Sequence, residues 1–170
     1  MDLYPWIVVA HVTGVMLFFI AHGASAMVGL RLRTERDPEK VIALLELSRW
    51  AMGRTAGISL FVGFTAGITA GFVGGWWGHL WIWLALVIFV GVGLAMTPLT
   101  PLAEFRLHQM RRAAGLGIES PFGISRRGEP HPSNPEELQR LLAAWNPMPM
   151  SILGFTSFAI ILALMLLKPF

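Results

Sequence analysis

The sequence predicts an all-α membrane protein: a four-transmembrane-helix antiparallel bundle with short amphipathic cytoplasmic helices. Three observations carry that expectation. The 170 residues are 55% hydrophobic and only 14% charged. The charges are gathered between four apolar tracts that are almost free of them, the pattern of a polytopic membrane chain. None of the tracts shows the period-two alternation of a barrel strand, which leaves the helix as the backbone that satisfies its own hydrogen bonds in lipid. One bundle covering 1–170 accounts for the length, with no second domain.

The spans are expected near 4–30, 52–73, 80–97 and 150–167, each of which can cross at about 1.5 Å per residue. The start "MDLYPW" lacks the basic region of a signal peptide, so the first tract is expected to be retained as a span. Arg31, Arg33, Arg36, Lys40, Arg49 and Arg54 lie in or beside the first connection, 31–51. Arg106, Arg111, Arg112, Arg126, Arg127 and Arg140 lie in the second, 98–149. Lys168 is what remains of the 13 basic residues. The positive-inside rule then puts both connections in the cytoplasm and both termini outside, as expected of a bacterial inner-membrane protein. Trp76, Trp77, Trp81 and Trp83 gather at the short outer turn, with Tyr4 and Trp6 at the same level, as an interfacial aromatic belt. The net charge of +3 follows from this topology and gives no reason to expect nucleic-acid binding.

Each connection carries helix signals. Asp37 and Pro38 suit an N-cap and first position, and Val41, Leu44, Leu45 and Leu47 form an apolar stripe for a helix at the inner surface. Asn134, Pro135, Glu136 and Glu137 start another helix, whose Leu138, Leu141 and Leu142 would face the membrane or the bundle. Pro98 and Pro101 are expected to interrupt the third helix. The loop within 113–149 is long for so small a protein, and a loop of that length is usually functional, partner-bound or disordered.

Candidate site residues are few. Cysteine is absent, which excludes disulfides, thiolate metal sites and cysteine nucleophiles. No phosphate-binding glycine loop, Ser/His/Asp order or His-Glu-x-x-His motif is present, and no catalytic residue is predicted. What stands out is "AHVTGVMLFFIAHG", which places His11 and His22 in the first span. Eleven residues apart, they lie about 20° apart around a helix and about 16 Å apart along it, on a stripe shared with Gly14, Phe18 and Ser25. Intramembrane imidazoles either bind haem b or a metal, or hydrogen-bond across helices to Thr65, Thr69 or a backbone carbonyl. His79 and His108 are poorly placed as second ligands, whereas Met96 lies near the depth of His22. Gly63, Gly67, Gly71 and Gly75 recur every four residues, a ridge for close helix packing, a flat cofactor or a homodimer seam.

The histidine-bearing opening helix "WIVVAHVTGVMLFF", the small-residue ridge and the "TPLTP" segment resemble an uncharacterised bacterial four-helix integral membrane family. That family is grouped with the CopD-like and HemJ-like membrane proteins. The likeness covers about residues 4–112. In the HemJ-type oxidases a first-helix histidine is a candidate haem ligand, and the resemblance implies that role for His11. Phe18, Met27 and Leu32 stand where that pattern carries tryptophan, arginine and histidine.

Two functions are therefore expected. One is haem b or metal binding in a redox role, with His11, His22 and Met96 as cofactor-binding residues. The other is a noncatalytic accessory or scaffold subunit of a larger membrane complex. Expected partners are the lipid bilayer, anionic headgroups at the cytoplasmic face, and other membrane subunits or a second copy of the chain.

Overall fold

The computed structural model describes residues 2–50, 55–116 and 132–169, with backbone alone at 49 and 50. Arg54, Arg126, Arg127, His131 and most of the long loop lie outside the described residues. Those described are helical, with no strand among them: α1 (Tyr4–Thr34), α2 (Pro38–Trp50), α3 (Ala56–Val73), α4 (Leu80–Ala113), α5 (Pro135–Ala143) and α6 (Met148–Leu167). A short 3₁₀ turn, Trp76–Gly78, joins α3 to α4. Gly75 enters it at φ 71°, a left-handed conformation that suits a residue without Cβ. Four helices (α1, α3, α4 and α6) are long and apolar enough to cross a membrane.

Their lengths are unequal, and this organises the molecule. α3 and α6, with 18 and 20 residues, measure about 27 and 30 Å, close to a hydrocarbon core. α1 and α4, with 31 and 34 residues, measure about 46 and 51 Å. Both overrun at the end that carries the arginines, and α2 and α5 pack against the overhanging turns.

That packing makes a core of the kind found in soluble proteins. Leu32 of α1, Leu45 of α2, Met110 of α4 and Leu142 of α5 are fully buried, joined by Val41, Leu107, Leu138 and Trp145. Full burial of such a side chain is worth roughly 1.5–3 kcal/mol. The apolar stripes of α2 and α5 are therefore covered by α1 and α4, although Leu47 stays exposed. The start signals hold: the Glu39 N–H donates to Asp37 Oδ1 at 3.1 Å, and the Glu137 N–H to Asn134 Oδ1 at 3.1 Å. Arg111 ties α4 to α2 by donating to the Ser48 hydroxyl at 2.7 Å and to the Leu45 carbonyl at 3.3 Å.

One expectation fails here. Pro98 and Pro101 do not interrupt the helix, because α4 runs unbroken from Leu80 to Ala113. Each proline removes one N–H from the ladder, a cost of about 3 kcal/mol in a helix interior. The turns beyond them bury Ala103, Leu107, Met110 and Ala113, and that burial carries the helix through.

Candidate functional site

Along its apolar stretch α1 faces α3 and α6, and each receives one histidine. Towards the tryptophan end it lies along α3 at backbone contact. A Cβ placed on Gly14 would sit 2.7 Å from Gly63 Cα, closer than side-chain atoms ever come. One step along the ridge, a Cβ on Gly67 would meet His11 Nδ1 at 2.7 Å. Gly67 thus leaves the recess that His11 fills, and its Nδ1–H donates to the Gly63 carbonyl at 2.7 Å. A carbonyl only accepts, so Nδ1 of this ring carries a proton. Farther on, Gly71 faces the Trp77 ring. Three of the four ridge glycines are thus occupied within the chain, two of them against α1.

Towards the basic end α1 meets α6 through aromatic rings instead. Phe18 stacks on His22 at 5.9 Å between centroids, and Phe155 and Phe158 flank the same imidazole at 5.6 and 6.2 Å. His22 Nε2 lies against Gly154, where any Cβ would collide with it. That nitrogen is buried and has no hydrogen-bond partner among the described residues. Leaving a buried polar atom unsatisfied costs about 1–3 kcal/mol, so this position is held at the expense of stability.

His22 forms part of the wall of a cavity of about 380 Å³ between α1, α3, α4 and α6. Its volume lies in the range of small-molecule sites. Phe18, Phe89 and Phe158 give it flat apolar walls, and Met96 of α4 lines it as well. His22 and Met96, which the sequence places at similar depth, both line this cavity. Ser151 and Ser157 also line it, but their hydroxyls donate to the Pro147 and Leu153 carbonyls of their own helix. At the end nearer the basic core the lining reaches Thr100, Ser48 and the exposed Glu104. No Lys or Arg is among the lining residues described. As a ligand set, an imidazole nitrogen and a thioether suit haem iron. The lining offers propionates no cation, so they would be left to solvent.

The remaining candidates separate from this site. His79 stands at the tryptophan end beside Trp76, and His108 lies on the basic-end extension of α4. No cluster of three or more His, Asp or Glu suited to a metal occurs among the described residues. Sequence reasoning missed Gly154, which has one glycine's worth of signal, and Trp145, which lines the cavity and whose indole N–H donates to the Gly29 carbonyl at 2.9 Å. No protein-family model, curated protein or solved structure matches this chain.

Proposed function

We propose that this is a multi-pass membrane protein of a bacterial inner membrane that binds haem b in a redox role, with His22 and Met96 as the residues that would hold it. The observation that carries the reading is His22, which lines a cavity that Met96 also lines and whose buried Nε2 has no hydrogen-bond partner among the described residues. Haem would supply one-electron chemistry. The chain's own part is to provide the donors, the flat apolar walls and the exclusion of water. His11 has a structural role in this reading, because it is not among the residues that line the cavity and its Nδ1–H holds α1 to the Gly63 carbonyl. The four apolar helices form an antiparallel bundle. The basic core lies in the cytoplasm beside anionic headgroups, and the tryptophan turn and both termini lie outside.

An optical spectrum of protein purified after expression with ample haem supply tests this. Soret and α bands that vanish in His22→Ala and Met96→Leu, but persist in His11→Ala, are the expected result. Their absence in the unaltered protein would overturn haem binding. The accessory-subunit reading would then lead, supported by the uncovered apolar surface of all four long helices. It predicts co-purifying membrane subunits in mild detergent.

A further inference from the structure

A second feature lies at the opposite end of the molecule, independent of the cavity. Trp76 and Trp81 set their rings 5.9 Å apart between centroids at an interplanar angle of 58°, an open V. His79 extends one side, 5.5 Å from Trp76. Trp76 is held in place because its indole N–H donates to the Tyr4 hydroxyl at 2.8 Å. Trp81 is almost fully buried, so it too is held.

The V already contains a cation. Lys168 Nζ lies 4.1 Å from the Trp76 centroid and 5.8 Å from that of Trp81. To reach it, Lys168 caps α6 at φ 44°, the sole positive φ outside glycine among the described residues. An L-residue adopts that conformation at a cost. The fit is lopsided. The ammonium lies over both rings but much closer to Trp76 than to Trp81, and as a compact, strongly hydrated charge it gives up water to sit there. A trimethylammonium group is larger by a shell of methyls, holds its water loosely, and reaches both rings at once. Aromatic faces set around a cation are the usual means of binding quaternary ammonium groups.

We propose that the Trp76–Trp81 cage binds a quaternary ammonium group of the choline type, and that Lys168 is an internal occupant which such a group displaces. The chemistry is shared by a phosphatidylcholine headgroup and by a free choline-like solute. The position of the cage in the aromatic cluster at the end of the long helices suits either.

The test uses the full chain in a maltoside detergent, followed by tryptophan fluorescence. Titration with tetramethylammonium chloride, against sodium chloride at equal ionic strength, should give a saturable change found only with the quaternary ion. Lys168→Ala should tighten apparent affinity about threefold, the scale of one exposed cation–π contact removed as competitor. Trp76→Phe should weaken it. Lys168 is exposed, so its replacement leaves the fold intact and the prediction testable even if Trp76 variants fold poorly. A response that tracks ionic strength alone, or one unchanged in Lys168→Ala, overturns the proposal. Free phosphocholine and nanodiscs of phosphatidylcholine against phosphatidylglycerol then separate the sources. A response to the first identifies a solute, a response to the second alone identifies the headgroup, and a response to neither refutes the cage.

Discussion

α1 is packed in two different ways within one helix, and its two histidines record the difference. Along α3 the contact is backbone on backbone, made by glycines, and the imidazole in it donates through Nδ1 to the facing helix. Along α6 the contact is made by rings, a cavity opens beside it, and the imidazole in it is not satisfied. Residue type alone does not separate a structural histidine from a functional candidate in a membrane. What separates the two here is that His22 lines a cavity and His11 does not. The first seam spends its polarity on holding two helices together. The second holds polarity in reserve beside space for a ligand.

Breaking the first seam should have the largest effect. Gly14→Val forces β-branched bulk into Gly63 and should cost about 3 kcal/mol, at the upper end of overpacking penalties. The check is the midpoint of denaturation in detergent. Gly154→Ala tests the second seam and should cost less, about 1–2 kcal/mol, because its new methyl meets a side chain that can turn rather than a backbone. If the two costs are equal, the seams do not differ as described.

The histidines themselves sharpen the comparison. His11→Leu loses a hydrogen bond and should destabilise the ligand-free protein by about 1 kcal/mol. His22→Leu removes an unsatisfied nitrogen from an apolar setting and should be neutral or stabilising. Equal losses for the two would mean that His22 is satisfied in solution.

The smallest effect lies outside the seams, where α1 ends. Backbone N–H groups of Asp37 and Arg36 donate to the Glu35 carboxylate, and Arg31 lies 3.3 Å away. Together these hold its pKa below the ordinary value, with the Asp37 N–H first. A carboxylate lowered in the folded state stabilises above its unfolded pKa, and that stability is lost as pH falls through the folded pKa. Glu35→Gln should therefore lower the midpoint slightly at neutral pH and leave it unchanged in acid.

Much of this was legible in the sequence. Asn134–Pro135 and Asp37–Pro38 announce helix starts because caps act within one turn. Helical period alone put His11, Gly14, Phe18 and His22 on one stripe. The partner of each residue was not legible. A carbonyl acceptor such as that of Gly63 belongs to every residue, so no residue type marks it. The role of Gly154 exists only because α6 brings it to His22. Pro98 and Pro101 misled because the local cost of proline is visible in a sequence, whereas the burial of Leu107 and Met110 that offsets it is tertiary.

The unequal helices have a mechanical consequence. α6 is a short ruler of the molecule, described at both ends, and a bilayer thicker than its span must thin around it or draw on it. α1 and α4 are joined by the basic core and cannot adjust to thickness by tilting separately. Mismatch strain then reaches α6 and its ring contact with α1 around His22. Bilayer thickness becomes a variable that bears on the seam beside the cavity.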